Sequence, residues 1–169
     1  LTYRASGNRT TVAEIIPAPT VAPMDYSFEI EIPKILAKST VVTGVSPFDP
    51  NEYLKVLEAD VVAQAKGSAM PGGGKGKTTY IFAHSTQQGI GMVRKNAVFY
   101  LLGEMKQDEV IYIKYGGQMY TYRVSEQKIV GAKEIEYLTY SDPDKELLIL
   151  QTCWPIGTDW KRLLVIAER

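Results

Sequence analysis

Short stretches in which apolar and polar residues alternate recur along the chain from about residue 26 onward. The clearest is FEIEI at residues 28–32, where apolar side chains alternate with glutamates. A period of two is typical of a strand with one buried side and one solvent-facing side. Other segments rich in β-branched, aromatic or aliphatic residues predict strands at 39–45, 79–84, 109–115, 118–124, 128–130, 146–153 and 162–168.

Two segments change to a helical period. The first, residues 49–65, opens with an Asp-Pro pair suited to a helix start, and its Tyr53, Val56 and Leu57 share one helical face. The second, residues 94–105, repeats apolar residues at spacings of three and four: Ala97, Tyr100, Leu101 and Met105. We therefore predict two or three short helices among the strands.

The beginning of the chain differs from the rest. Residues 1–24 contain several prolines and no sustained period, so we expect a flexible N-terminal arm. Residues 25–169 contain no linker-like stretch and no internal repeat, which predicts a single domain. Many short strands with few helices predict a mainly β fold, a closed or nearly closed barrel of about eight strands.

The composition narrows the possible functions. Hydrophobic residues make up 45% of the 169 residues and charged residues 22%, which is enough apolar material for a sizeable core. The formal net charge is +0 and the basic residues do not cluster, so we expect no nucleic-acid partner. No apolar run reaches the roughly 18 residues that span a bilayer. Membrane attachment is therefore expected only through an anchor outside this stretch of chain.

The chain has one cysteine, Cys153, and one histidine, His84. A lone cysteine excludes an internal disulfide, and the pair is too small for a structural zinc site. We expect no metal ion and no other cofactor. The acidic residues that are candidates for a calcium site lack compact ligand spacing and are better explained as solvated surface charge: Glu58, Glu104, Asp108 and Glu109.

A glycine-rich stretch, PGGGKGKTT at residues 71–79, needs comparison with nucleotide-binding loops. Gly76-Lys77-Thr78 matches the end of that motif. The first glycine of the motif would fall at Pro71, however, and the sequence pattern predicts no strand before it. We predict an ordinary loop.

The candidate chemistry lies where one apolar strand ends in Thr152-Cys153 and another begins at Arg162. A short loop joins the two strands, which brings Cys153 and Arg162 to the same end of a sheet. A cysteine thiolate is a nucleophile that needs a partner for its proton, and a fixed guanidinium stabilises the charge that develops on an attacked carbonyl. His84, at the end of the strand at residues 79–84, can serve as that partner.

Each of these residues also has a structural explanation. A lone cysteine is most often a small buried hydrophobe. A lone histidine is often structural or simply exposed, and Arg162 could be a charge that protects a strand edge from aggregation. Taken one by one, none of the three establishes an active site.

Together, these segments resemble the sortase family. LQTC at residues 150–153, followed by an arginine that opens RLLV at 162–165, is similar to the sortase signature in which Thr-Cys ends one strand and Arg starts the next. IEIPKI resembles the opening strand of sortase barrels. MPGGGKGKTTYIFAHS is similar to the stretch that ends in the catalytic histidine, and KQDEVIYIKYGGQMYTYRV to the paired strands that follow. The resemblance runs in family order over roughly residues 28–168.

The resemblance implies a sortase-like closed barrel and a catalytic role for three residues. Cys153 would be the nucleophile, His84 the general acid/base, and Arg162 the cation that binds the carbonyl oxygen of the substrate. The implied enzyme is a cysteine transpeptidase, grouped with cysteine endopeptidases and therefore with hydrolases.

Three neighbouring residues are expected to bind substrate on the same resemblance. Thr152, just before the nucleophile, would help position the substrate backbone. Ser85 directly follows the histidine. Trp154 would either border the groove or cap the barrel.

The implied reaction is attack on the Thr–Gly bond of a Leu-Pro-x-Thr-Gly-like sorting signal. The resulting thioacyl enzyme would pass its acyl group to an amine of the peptidoglycan or of a pilin subunit. Such an enzyme is expected outside the cytoplasm, at the bacterial cell surface and membrane-anchored in the full-length protein.

The sequence also departs from the family pattern. Ile149 stands where the family often has Thr, and Ala83 stands where Gly often precedes the histidine. The short loop between Cys153 and Arg162 resembles pilin-polymerising class C or class D/E-like sortases. These features leave the subclass open.

Two other functions fit the same residues. One is a secreted β-barrel binding module with an inert Cys153, and the other is a simple cysteine peptidase. An unrelated wall-linking transpeptidase is disfavoured because its Ser-His-Gly-Cys run is missing. Labelling of Cys153 that depends on His84 would favour an enzyme over a binder, and amine-dependent product would favour a transpeptidase over a hydrolase.

Overall fold

The computed structural model describes residues 25–85 and 98–169, so the arm expected at residues 1–24 lies outside the described residues. Numbered along the described chain, the strands are β1 (Phe28–Ile32), β2 (Ala37–Val45), β3 (Val62–Ala65), β4 (Thr78–Phe82), β5 (Val110–Tyr115), β6 (Gln118–Gly131), β7 (Leu147–Trp154) and β8 (Lys161–Glu168). They close a barrel in the order β1-β2-β3-β4-β7-β8-β6-β5, in which β5 pairs with β1. The expected mainly β barrel of about eight strands is confirmed.

The alternation in β1 works as the sequence pattern predicts. Phe28, Ile30 and Ile32 are buried in the barrel core, whereas Glu31 is exposed. Burying an aliphatic or aromatic side chain stabilises the fold by about 1.5–3 kcal/mol, so a slip of one residue in this strand would expose the apolar set. The pattern therefore determines which side of β1 faces the core.

The first predicted helix forms but is shorter than predicted. Helix α1 spans Pro50–Leu57, and the Asp49 carboxylate caps it by accepting a hydrogen bond from the Asn51 amide at 2.9 Å. The prediction of a helix up to residue 65 is wrong, because Val62–Ala65 forms β3. All four residues of β3, which lies between β2 and β4 in the strand order, are buried, so this strand lacks the alternation of a half-buried strand.

One long strand, β6, replaces two predicted ones. Its first half pairs with β5 and its second half with β8. The register against β8 shifts between Val124 and Glu126, which is a β-bulge at Ser125. The extra residue interrupts the alternation at that point, which is why the sequence pattern predicts two strands instead of one.

The second predicted helix is not an α-helix in its described part. Residues 98–105 form a turn and then a 3-10 helix, Leu102–Glu104, whereas residues 94–97 lie outside the described residues. The predicted apolar face is only partly buried, because Met105 is buried but Leu101 is exposed. The buried Phe99 and Leu102 lie off that face, since the chain winds more tightly here than an α-helix. No helix within 25–85 or 98–169 is long and apolar enough to cross a membrane. The other 3-10 helices there are Pro33–Ile35 and Glu136–Leu138.

A carboxylate holds the glycine-rich loop at the barrel end where β7 begins. Glu146 is buried and accepts hydrogen bonds from the amides of Gly72 and Gly74 at 2.7 and 3.1 Å. It also accepts hydrogen bonds from the Tyr122 hydroxyl at 2.7 Å and from the Arg169 guanidinium at 2.8 Å. The amides of this loop therefore bind an anion that belongs to the protein itself.

Candidate active site

Cys153 and Arg162 face each other across two antiparallel strands. Their Cα atoms are register partners in the β7–β8 pair, and opposite residues in such a pair project from the same face of the sheet. Arg162 Nη1 donates hydrogen bonds to the carbonyl oxygens of Asp159 and Lys161, at 2.9 and 3.0 Å. The loop between the strands therefore fixes the guanidinium on the face that carries the thiol.

His84 reaches the same end of the sheet from β4. Strands β4 and β7 are parallel, with Phe82 opposite Gln151, and the Ala83 amide donates a hydrogen bond to the Gln151 carbonyl at 3.1 Å. Parallel neighbours end at the same edge of a sheet. The residue two positions beyond Phe82 is His84 and the residue two positions beyond Gln151 is Cys153, so the pairing brings these two together.

All three side chains line one cavity of about 550 Å³. Its floor is formed where β4 and β7 end, one wall is α1, and another is the segment 132–138 between β6 and β7. Three large apolar residues at the cavity, Phe48, Leu54 and Ile135, are exposed. A cavity that combines exposed apolar side chains with polar groups is suited to a peptide that carries apolar residues.

Burial sets the protonation of the candidate catalytic pair. Burial raises the pKa of the Cys153 thiol and outweighs the opposing effect of the Arg162 charge, while Asp159 raises this pKa further. Burial also lowers the pKa of the His84 imidazole. Both shifts favour uncharged forms, so the resting pair at neutral pH is a thiol and a neutral imidazole. His84 can then accept the thiol proton as Cys153 attacks.

The other predicted site residues, Ser85 and Thr152, are both buried. Ser85 lines the cavity, and its hydroxyl accepts a hydrogen bond from the Gly157 amide at 3.4 Å, which links the His84 segment to the β7–β8 loop. Thr152 does not line the cavity, because strand alternation turns its side chain to the opposite face of β7 from Cys153. Its hydroxyl has no hydrogen-bond partner in the described part of the chain.

Trp154 lies at the barrel end and does not line the cavity. Its indole packs against the 3-10 helix Leu102–Glu104: a methyl group on Gly103 would lie only 3.1 Å from Cζ3 of the indole and 3.6 Å from Leu163. Trp154 could either border the groove or cap the barrel, and this position corresponds to the cap.

Sequence reasoning missed two residues of the cavity floor region. Gln151 lines the cavity, and the buried Tyr80 on β4 donates a hydrogen bond from its hydroxyl to Gln151 Oε1 at 2.6 Å. The sequence feature that could have identified Gln151 is that a polar residue directly follows the apolar run LLIL at residues 147–150. Across residues 25–85 and 98–169, potential metal-ligating side chains do not gather in groups of three or more.

Comparison with known proteins places these observations in a family. The sortase domain matches residues 30–169 of the chain. Sortase A of Corynebacterium diphtheriae is similar in structure, with 29% identity, a TM-score of 0.70 and coverage of 88% of this chain and 62% of that one. Sortase C-1 of Actinomyces oris has 27% identity, a TM-score of 0.70 and coverage of 86% and 74%. Sortase C of Clostridium perfringens, solved with the C-terminal cell wall sorting motif, has 30% identity, a TM-score of 0.68 and coverage of 83% and 68%. No curated protein matches the sequence.

The barrel, the cavity and these matches together define a cysteine transpeptidase. The chain belongs to the sortase family, as the match over residues 30–169 shows. Both sortase A and sortase C enzymes are among the similar structures, so the assignment stands at the level of the family. The chain spans 62% of the length of the Corynebacterium diphtheriae sortase A. Sortases are generally associated with the cell surface.

Proposed function

We propose that this protein cleaves a Leu-Pro-x-Thr-Gly-like sorting signal between Thr and Gly and joins the Thr carbonyl to an amine. The observation that supports this best is that the chain's only cysteine and only histidine line one cavity together with Arg162. Cys153 is partly exposed there. An inert, fully buried thiol is therefore a poorer explanation of this residue than a nucleophile.

The first half of the proposed reaction forms a thioester. His84 takes the proton from Cys153 Sγ, and the thiolate attacks the carbonyl carbon of the substrate Thr. Arg162 donates hydrogen bonds to the oxygen, which becomes negatively charged in the tetrahedral intermediate. His84 then gives its proton to the Gly nitrogen, the C–N bond breaks, and the acyl group remains on sulfur.

The second half transfers the acyl group. His84 takes a proton from an incoming amine, the amine nitrogen attacks the thioester carbon, and the Cys153 sulfur leaves and recovers its proton from His84. Water in place of the amine would give hydrolysis. The proposed amine belongs to peptidoglycan or to a pilin subunit, and the enzyme works at the outer surface of a bacterium, attached to the membrane.

The proposed substrate contacts follow from the cavity. The exposed apolar side chains of Phe48, Leu54 and Ile135 suit the apolar beginning of a sorting signal. The sorting motif bound to the Clostridium perfringens sortase C is consistent with such a substrate. Thr152 acts on the substrate through its backbone because its side chain is buried, and Ser85 acts by holding the β7–β8 loop.

Mass spectrometry tests the proposal directly. The protein is incubated with a panel of sorting-signal peptides, with and without candidate amines such as oligoglycine, a lysine side chain and a diaminopimelate peptide. We expect a thioester on Cys153 and a ligated product that requires the amine, both absent in Cys153→Ala. Hydrolysis without ligation would favour the simple cysteine peptidase, and no reaction with any peptide would favour the binding module.

A further inference from the structure

Asp159 brings a carboxylate to the active-site cavity, beside the thiol and the guanidinium. It lies in the loop between β7 and β8, three residues before Arg162, and its exposed side chain lines the cavity. Its negative charge raises the pKa of the Cys153 thiol, so the carboxylate is close enough to act on the sulfur. Of the described carboxylates at the cavity, it is the one with this effect on Cys153.

The backbone on both sides of Asp159 is held by hydrogen bonds. Just before it, the amide and the hydroxyl of Thr158 both donate to the Pro155 carbonyl, at 2.9 and 2.8 Å. The carbonyl of Asp159 itself accepts a hydrogen bond from Arg162 Nη1 at 2.9 Å. These contacts limit the positions that the Asp159 side chain can take relative to the thiol.

Neither the fold nor the first half of the proposed reaction explains this carboxylate. Within residues 25–85 and 98–169 it forms no ion pair, even with Arg162. A negative charge near Cys153 disfavours the thiolate, and it also opposes the build-up of negative charge on the attacked carbonyl oxygen. A functional reason for Asp159 therefore has to come from the second half of the reaction.

The acceptor of the second half arrives as a cation. The ordinary pKa is about 10.4 for a lysine side chain and about 7.7–8.0 for an α-amino group, so such amines are mostly protonated at neutral pH. Arg162 repels an ammonium ion, whereas a carboxylate at the same cavity attracts it. The amine nitrogen also gains positive charge as it attacks the thioester carbon, until His84 takes its proton. A negative charge beside the thioester favours both the approach and the attack of an amine.

We propose that Asp159 is a specificity-determining residue for the acceptor: its carboxylate binds the ammonium group of the incoming amine and disfavours acceptors with a negative charge next to that group. The bound ammonium gives one proton to solvent. The neutral amine then gives a second proton to His84, its nitrogen bonds to the thioester carbon, the C–S bond breaks, and the Cys153 sulfur recovers the proton from His84. This inference rests on the proposed function and concerns the acceptor at the same site.

The first test compares amine transfer with thioester formation, which needs no amine. Both are measured by mass spectrometry with the sorting-signal peptide and the amine that react best in the panel described above. In Asp159→Asn we expect kcat/KM for the amine to fall about 2–5-fold, the range for an exposed ion pair, while the rate of thioester formation does not fall. Asp159→Asn leaves the backbone carbonyl that Arg162 uses in place.

The second test changes the charge of the acceptor. Glycinamide and glycine are similar in size, but glycine carries a carboxylate next to its amine. Their intrinsic reactivities differ, and this difference cancels when the ratio of the two kcat/KM values is compared between wild type and variant. The preference for glycinamide should be about 2–5-fold smaller in Asp159→Asn than in the wild type.

Three further measurements separate this role from general damage. Asp159→Glu keeps the charge and should retain most of the transfer to the amine. In Asp159→Asn the midpoint of Cys153 alkylation against pH should move downward, because the charge that raises this pKa is gone. Asp144→Asn removes an exposed carboxylate before the start of β7, far from Cys153 along that strand, and should behave as the wild type in every measurement.

The outcomes distinguish the role of Asp159 from the proposed function. No thioester with any peptide in the wild type would overturn the proposed function itself. Thioester formation with equal amine kcat/KM and equal glycinamide preference in the wild type and in Asp159→Asn would overturn the role of Asp159.

Salt provides the same test without a substitution, should Asp159→Asn fail to fold. The glycinamide preference of the wild type should shrink as the ionic strength rises from about 0.01 to about 1 M, over which the Debye length falls from about 30 to about 3 Å. A preference that does not depend on salt would contradict an electrostatic role for Asp159.

Discussion

Charge and geometry can be separated experimentally at Arg162. Its Nη1 is anchored by the carbonyls of Asp159 and Lys161, which presets the direction of the planar guanidinium. Arg162→Lys keeps the charge but replaces the fork with a flexible point charge. We expect peptide turnover to fall on the order of 10²–10³-fold, as for the loss of an oxyanion donor. The unfolding midpoint of Arg162→Lys and the rate at which its Cys153 reacts with a small alkylating reagent should stay close to the wild-type values. Near-normal peptide turnover by this variant would show that Arg162 is only a strand-edge charge.

The opposite pKa shifts of Cys153 and His84 predict a broad pH optimum. The active form of the pair has a neutral His84 imidazole and a protonated Cys153 thiol. This form exists above the lowered pKa of His84 and below the raised pKa of Cys153. The profile of kcat/KM should therefore fall only below the ordinary imidazole pKa of 6.5 and only above the ordinary thiol pKa of 9.0.

Arg162 also contributes to the alkaline limb of this profile. Its charge lowers the Cys153 pKa against the larger effect of burial. In Arg162→Gln the midpoint of Cys153 alkylation against pH should therefore move upward. Lys161→Gln, a change at the exposed neighbouring cation, serves as the control, and equal midpoints in Arg162→Gln and the wild type would contradict the assignment.

The residues of the site were not equally accessible from sequence. Cys153 and His84 are unique in the chain, and Arg162 follows a short loop, so their types and positions drew attention. The pairing of Tyr80 with Gln151 depends instead on β4 and β7 being neighbours in the barrel. Linear sequence patterns carry no information about which distant parallel strands are adjacent, so this part of the site needed the structure.

At the scale of elements, the 3-10 helix Leu102–Glu104 is packed tightly enough to test. A methyl group on Gly103 would lie 3.1 Å from the Trp154 indole, closer than ordinary van der Waals contact. Gly103→Ala should lower the free energy of unfolding by about 1–3 kcal/mol, the usual penalty of overpacking. Chemical denaturation measures this loss.

A double-mutant cycle identifies its source. Trp154→Phe provides a smaller ring, so Gly103→Ala should be better tolerated in that background than in the wild type. Equal losses in the two backgrounds would show that the indole is not what restricts Gly103.

The errors of element prediction have a common physical origin. Periodicity reports which side of an element is buried, and it identified the core side of β1. Around residues 99–105 it did not, because a helical period of 3.6 does not describe a turn followed by a 3-10 helix, and the predicted Leu101 is exposed. It fails where both sides are buried, as in β3, and where a bulge shifts the period, as at Ser125 in β6. The predicted number of strands was right because the missed β3 offset the division of β6 into two.

At the scale of the whole molecule, Glu146 links the glycine-rich loop to the barrel. Burial raises its pKa, but hydrogen bonds from Tyr122, Gly72 and Gly74 and the charge of Arg169 outweigh burial and hold the pKa below its ordinary value of 4.5. The stabilisation is therefore complete above about pH 4.5 and is lost as the pH falls through the lower pKa of the folded state.

Glu146→Gln should accordingly reduce the free energy of unfolding at neutral pH by about 1.5–3 kcal/mol, the range for hydrogen bonds to a charged group. The difference from the wild type should shrink as the pH falls below 4.5, because the wild-type carboxylate becomes protonated. Denaturation curves at pH 7 and at lower pH measure both effects. Glu31→Gln is the control: its ion pair with Lys38, at 3.9 Å, is exposed, so this variant should change the free energy of unfolding little. A loss of stability in Glu146→Gln that does not depend on pH would contradict the role given to Glu146.

Residues 25–169 are expected to suffice for folding and turnover. The barrel closes through the pairing of β1 with β5, beginning with Phe28 opposite Tyr115, so strands within residues 25–169 complete the sheet. A chain that lacks residues 1–24 should keep the unfolding midpoint and the peptide turnover of the whole chain. A change in turnover at an unchanged midpoint would instead assign residues 1–24 a role over the groove.

Strand β7 connects the Glu146 anchor at its start with Gln151 and Cys153 near its end. In an extended strand Glu146 and Cys153 are ~23 Å apart, well beyond the distance at which substitutions usually couple. Stability gained or lost at the loop anchor should therefore add to changes in peptide preference at the cavity end of the strand without interfering with them. An evolving or engineered variant can in this way acquire a new substrate at one end of the strand while a second substitution at the other end restores its tolerance to heat.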